Sequence, residues 1–286
     1  MRIFDCHCHI FPPKIIANRD YYLQKDQAFN LLYGNPKSRL VTADELISHM
    51  ESAAVNKAIV FGFPWEDEEV FRMHNDYVIE STIKYQGRLY GFCCFLPNLK
   101  SYLTEREVIR CLDAGLFGIG EIAWYMSDYD KSVIESLRPA MEIAYERNVP
   151  VMFHTNEPIG HQYPGKTQMT LAGINNLVIS FSKNKLILAH WGGGIFFYQL
   201  LKKQIREKYE NVWFDTAASP YLYTNLIYRF AVNIVGMHKI LFGSDYPLLP
   251  ASRYIKEIEE SGLREEEKEA ILWSNTHKIL KLEVNK

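Results

Sequence analysis

Eight short apolar runs recur along the chain, at residues 3–5, 57–63, 89–95, 116–122, 150–154, 185–190, 211–215 and 239–245. Each is continuous rather than alternating, the pattern of parallel strands covered on both faces. Helix-like segments separate them. The first opens at Thr42, an N-cap with Glu45 three residues on, the spacing of a capping box. Others cover residues 70–86, 104–114, 132–147, 168–182, 195–209, 222–235 and 251–261, and the tail at 265–282 adds further helix with a break near Ser274-Asn275.

Eight strands alternating with eight helices predict a single-domain (β/α)8 TIM barrel spanning residues 1–286. A doubly wound open sheet is the competing architecture, but Gly192-Gly193-Gly194 lacks the spacing of a phosphate-binding loop. Residues 11–41 form a long loop after strand 1, expected as a lid on the catalytic face, and an extra helix closes the C-terminus.

Composition narrows the function. Hydrophobic residues are 48% and charged residues 23% of the chain, which excludes a disordered or low-complexity protein. Thirty-two basic against 34 acidic residues leave a formal net charge of −2, so neither nucleic acid nor an anionic membrane is an expected partner. Five cysteines, an odd number, do not make a disulfide framework. No signal-peptide pattern opens the chain. The most apolar stretch, residues 186–201, contains His190 and three glycines and is too short to span a bilayer. These features predict a cytoplasmic protein.

The informative residues sit where the strands end. Strand 1 ends in Asp5-Cys6-His7-Cys8-His9, strand 4 in Glu121, strand 5 in His154, strand 6 in His190 and strand 8 in Asp245. A barrel brings these ends to one mouth. His7 and His9, two apart on a strand, share a face; both imidazoles are expected to point inward, with Cys6 and Cys8 turned toward the helices. Imidazoles and carboxylates are nitrogen and oxygen ligands. They suit zinc first, with manganese, iron or nickel also compatible. Asp245 can reach both an ion and its water, and is the expected proton shuttle.

The order His-x-His, His, His, Asp resembles the amidohydrolase superfamily of metal-dependent barrels. The phrases Leu188-Ala189-His190-Trp191-Gly192-Gly193 and Phe242-Gly243-Ser244-Asp245-Tyr246-Pro247 resemble its second family, which includes aminocarboxymuconate-semialdehyde decarboxylase. The resemblance implies that His7, His9, His154 and Asp245 bind a metal. His190 would be an acid/base beside one ion or a ligand to a second, and Glu121 a bridging ligand or the partner of a ligand histidine. It also implies a homodimer or larger. Trp65, Trp191, Tyr246 and Arg253 are candidate substrate contacts. Asn156, Glu157, His161, Tyr163 and Asp215 are weaker pocket candidates, while His49, His74, His238 and His277 are expected to be surface or structural.

The expected activity is hydrolysis of an ester, amide or lactone of a small molecule by metal-activated water. The alternative is a non-oxidative decarboxylase, a lyase. A TatD-like phosphodiesterase or nuclease comes third, because the chain lacks basic runs.

Overall fold

The computed structural model describes residues 1–97, 101–125 and 127–282. All eight expected strands form: β1 (Phe4–His9), β2 (Lys57–Phe61), β3 (Leu89–Cys93), β4 (Gly118–Ile122), β5 (Pro150–Phe153), β6 (Lys185–Leu188), β7 (Val212–Asp215) and β8 (Ile240–Leu241). They pair in chain order, each parallel to the next. The sheet closes through Cys6 N–H to the Phe242 carbonyl (2.7 Å) and His9 N–H to the Tyr246 carbonyl (2.8 Å). The fold is the (β/α)8 barrel.

Strand side chains sort into two layers. Phe4, Ile59, Phe61, Tyr90, Phe92, Met152, Ile187 and Leu241 fill the barrel interior. Val60, Val151, Phe153, Leu186, Leu188 and Phe214 pack outward against the helices. Burial on both sides explains the continuous apolar runs.

The helices follow the sequence closely where caps are strong. Ala43–Ser52 begins at Thr42 with both bonds of the capping box in place. Elsewhere the outcome differs. Residues 195–209 do not form one helix: a run of 3-10 turns (His190–Leu200), interrupted by left-handed residues 191–194, is followed by a short helix (Lys203–Lys208). The 222–235 helix is likewise split into Ser219–Leu222 and Leu226–Val235 around extended Tyr223. The expected break near Ser274 is instead a widened π turn, Ala270–Ser274, continuing into Asn275–Ile279. The C-terminal segment docks on β8 there. The Ile271 carbonyl accepts from Phe242 N–H (3.0 Å), and Asn275 Nδ2 donates to the Met237 and Ile240 carbonyls (both 2.7 Å).

Residues 11–41 are not an irregular loop. They fold into Pro13–Ala17, Arg19–Lys25 and Gln27–Tyr33. Phe11, Ile15, Tyr22 and Phe29 from this insertion pack with Phe63, Trp65 and Phe71 in a separate aromatic cluster. Burial of each large side chain contributes roughly 1.5–3 kcal/mol. Asp26 anchors it, accepting from Phe29 N–H (2.8 Å) and Glu66 N–H (3.2 Å). Among the described residues, no helix is long and apolar enough to cross a membrane.

Candidate metal centre

Simple alternation does not deliver the ligands. On β1, Phe4 points inward, so His7 and His9 would point outward in a regular strand. The register prevents this: Asp5 pairs with Ala58 but Cys8 with Val60, so β1 has one extra residue. This bulge turns Cys6 and His7 both inward. Cys6 joins the barrel interior with Phe4 and Phe61, and only Cys8 packs toward the helices. The expected outward position of Cys6 is thereby corrected. Gly243 makes room, since a Cβ there would lie 2.8 Å from His7 Cβ.

The same device operates on β4. Ile119 pairs with Val151 and Ile122 with Phe153, again three residues against two. Both isoleucines face the outer layer, so Gly120 and Glu121 face in. His154 and Asp215 need no bulge, because each lies two residues beyond an inward residue, Met152 or Trp213, while Asp245 follows the end of β8 with a φ of +58°.

The six residues expected to bind metal meet at one place. Glu121 Oε1 lies 3.2 Å from His154 Nδ1, 3.6 Å from His190 Nε2 and 3.9 Å from His7 Nε2; its Oε2 lies 3.9 Å from His9 Nε2. Asp245 Oδ1 lies 3.3 Å from His9 Nε2 and 3.5 Å from His7 Nε2.

Each imidazole has its other nitrogen tied to an acceptor. His7 Nδ1 bonds Asp215 Oδ2 (2.8 Å), His190 Nδ1 the Ala217 carbonyl (3.2 Å) and His154 Nε2 the Gly165 carbonyl (3.2 Å). His9 Nδ1 makes a longer contact with the Gly62 carbonyl (3.4 Å). Such acceptors place the N–H outward and leave the second nitrogen as a lone-pair donor toward the centre. Asp215 does more, because its Oδ1 also accepts from His190 N–H (2.8 Å) and Ala217 N–H (3.0 Å). Those bonds hold a strained turn. Residues 190–194 all have φ between +54° and +89°, and this left-handed conformation costs about 1–2 kcal/mol at each non-glycine residue. Gly193 is obligatory there, since a Cβ would fall 2.3 Å from the Asn156 carbonyl oxygen.

The electrostatics match a missing positive charge. Burial disfavours protonation of His7, yet the Asp215, Glu121 and Asp245 carboxylates push its pKa up to about 10. Burial opposes ionisation of Glu121, but the neighbouring His154 and His7 hold it well below the usual range. Asp245 is likewise lowered against its burial by His9, His7 and His190. His190 is raised to about 8, burial being outweighed by Glu121 and Asp245. His7 Nε2 is buried and has no hydrogen-bond partner.

A divalent cation fits this donor set. It would complete the bare nitrogen and balance the carboxylates. Three ligand groups lie within 4.8 Å: His7, His9 and Glu121; His7, His190 and Asp245; Glu121, His154 and His190.

The expected substrate contacts are more dispersed. Trp65 is 1% exposed in the insertion's aromatic cluster, and its Nε1 donates to His74 Nδ1 (2.9 Å). Trp191 is fully buried behind His190, with its Nε1 on Ser219 Oγ. Tyr246 is sandwiched away from the mouth, stacked on His49 (4.0 Å between centroids) with Arg39 bonded to its hydroxyl (3.3 Å). Arg253 is exposed over the Tyr221 ring. None of the four is brought to the histidine cluster by these contacts.

Glu157, Tyr163 and Asn156 instead clasp the loop that follows β5. Lys166 Nζ bonds Glu157 Oε1 (2.9 Å), Tyr163 donates to Glu157 Oε2 (2.7 Å), and Asn156 Oδ1 accepts from Thr167 N–H (2.9 Å). This clasp fixes the Gly165 carbonyl that orients His154. Tyr125 had no signal in the sequence, yet its ring lies 5.2 Å from that of His154. Asp215 was legible as the acid ending the seventh strand, although its orienting role was not.

The family model described as amidohydrolase matches residues 4–282. No curated protein matches the chain by sequence. The fold is similar to that of 5-carboxyvanillate decarboxylase LigW from Sphingomonas paucimobilis, with a TM-score of 0.78 and 16% identity over 98% of this chain and 99% of the other. It is also similar to dihydroxybenzoic acid decarboxylase from Polaromonas sp. JS666, solved with manganese and 2-nitroresorcinol (TM-score 0.72, 18% identity, 98% and 97% coverage). A third similar structure is 2,6-dihydroxybenzoate decarboxylase from Rhizobium (TM-score 0.69, 17% identity, 98% of each chain). With the family model matched over nearly its whole length, the chain belongs to the amidohydrolase family.

Proposed function

We propose that the protein is a metal-dependent, non-oxidative decarboxylase of a small aromatic carboxylic acid. The observation that carries this is the gathering of four imidazoles and two carboxylates in three overlapping clusters at the barrel mouth, with aromatic side chains beside them. That the similar structures are those of decarboxylases supports that chemistry over hydrolysis, which the sequence alone favoured.

His7, His9, His154 and Asp245 would hold the ion, which is manganese or zinc on the donor set. When bound, it supplies a fixed positive charge for the substrate's carboxylate. Decarboxylation breaks the bond to the carboxylate carbon, releases CO2 and places one proton on the carbon left behind. His190 is built to move that proton, since its Nδ1 is committed to Ala217 and its Nε2 faces the centre. Glu121 and Asp245 face the same space and raise the pKa of His190. Asp215 fixes both His7 and the His190 backbone, so neither needs to reorganise during the reaction.

Hydrolysis remains the second reading, on one observation. Glu121 reaches all four ring nitrogens within 3.9 Å, the position a carboxylate bridging two ions would take. The test is incubation of the manganese-loaded and zinc-loaded protein with hydroxybenzoates and with aryl esters and lactones, following CO2 and acid release. CO2 from a benzoate is expected. Ester or lactone cleavage without CO2 release overturns the decarboxylase in favour of the hydrolase.

A further inference from the structure

Three aromatic side chains from separate segments line up beside His154. Tyr33 ends the inserted helix Gln27–Tyr33, Phe63 follows β2 and Tyr125 follows β4. The Tyr33 and Phe63 centroids are 6.1 Å apart, Phe63 and Tyr125 are 6.2 Å apart and nearly parallel at 5°, and Tyr125 lies 5.2 Å from His154. The row connects the insertion directly to the metal-ligand cluster.

Its polar ends are free. Tyr33 and Tyr125 are partly exposed, and among the described residues neither phenol hydroxyl has a hydrogen-bond partner. Tyr129 and Tyr163, by contrast, each donate to an acceptor near this mouth: Tyr129 to the His154 carbonyl (2.9 Å), and Tyr163 to Glu157 (2.7 Å). The cations around the row are held by neutral groups or by Glu157. Arg19 binds the Tyr33 and Asn35 carbonyls, Lys166 binds Glu157, and Arg39 binds the Tyr246 hydroxyl. The row therefore brings aromatic surface and two neutral O–H donors beside the metal-ligand cluster.

We propose that Tyr33 and Tyr125 are specificity-determining residues that donate hydrogen bonds to a neutral oxygen substituent on an aromatic monocarboxylate lying beside Tyr125. This rests on the decarboxylase reading for the aromatic acid itself. The recognised group is a hydroxyl or methoxyl rather than a second carboxylate, which would meet the negative charge of Glu121 and Asp245 that reaches Tyr33. The insertion thus supplies part of the substrate selection, through its last helical residue.

The test is calorimetric binding to the manganese-loaded protein, comparing native chain, Tyr33→Phe and Tyr125→Phe. The probes are benzoate, the three monohydroxybenzoates and isophthalate. At least one hydroxybenzoate is expected to bind about 5- to 10-fold tighter than benzoate, the worth of one added hydrogen bond. That margin should collapse in one or both variants while benzoate affinity stays constant, and isophthalate should bind more weakly than the preferred hydroxybenzoate.

A margin untouched by either substitution overturns the proposal. So does equal weakening of benzoate, tightest binding of isophthalate, or no binding of any probe. CO2 release is followed separately. A phenol-dependent margin without CO2 release sinks the decarboxylase reading and leaves the phenol pair standing. CO2 release with an unaffected margin does the reverse.

Discussion

Two buried histidines show how the molecule divides its work. His7, at the barrel mouth, is fully buried, and His74, in the aromatic cluster of the insertion, is 1% exposed. The carboxylates of Asp215, Glu121 and Asp245 overcome burial and push His7 up to about 10. His74 has no such neighbours, and burial brings it down to about 4. Both its nitrogens are used, one accepting from Trp65 (2.9 Å) and one bonded to the Ile10 carbonyl (2.6 Å). His7 keeps Nε2 bare. A buried imidazole whose two partners are both neutral is structural, whereas one whose inner nitrogen faces carboxylates is built to receive a cation.

That contrast can be broken at either end. The largest effect is expected at the mouth. His190→Gln removes the proton carrier and should lower kcat about 10²- to 10⁴-fold, with metal content by elemental analysis unchanged. A parallel loss of metal would make His190 a ligand instead.

The next effect belongs to the insertion and depends on pH. His74 is neutral in the folded chain and titrates near 4, against 6.5 when unfolded. The unfolded chain therefore takes up the proton first. Stability from this group is complete above 6.5 and lost as pH falls toward 4, about 3 kcal/mol in all. Urea midpoints across that window should fall, and His74→Gln should flatten the fall. His7 has the opposite sign in metal-free protein: its contribution is full below 6.5 and lost as pH rises through about 10.

Two smaller changes sharpen the comparison. Asp215→Asn presents an amide to His7 Nδ1 and should weaken metal binding about 10- to 100-fold, read by manganese titration. Trp65→Phe removes one hydrogen bond from the insertion and should cost about 1 kcal/mol of stability while leaving that titration unchanged. Weakened metal binding in Trp65→Phe would mean that the two regions are not separable.

The sequence carried the barrel well because the physics is local. Continuous apolar runs report burial on both strand faces, and the cap at Thr42 reports where a helix starts. The ligand histidines were legible for a different reason, since a barrel gathers its strand ends whatever the loops do. What could not be read was how the ligands face inward. Alternation from Phe4 would have turned His7 outward, and only the bulges on β1 and β4 reverse this. A bulge depends on pairing with a strand some fifty residues away on β2, and no short phrase encodes it. The insertion hid its helices because each is short and stabilised by aromatic packing rather than by its own period. Trp65 and Trp191 were misplaced on the same ground, since adjacency in sequence to a strand end does not say which layer a large ring joins.

The most direct test of the central claim is metal content by elemental analysis after supplementation with manganese and gel filtration, for the native chain and for His7→Asn. The account predicts at least one divalent ion bound per native chain and its loss in the variant. A native chain that retains none, or a variant that retains as much, contradicts it.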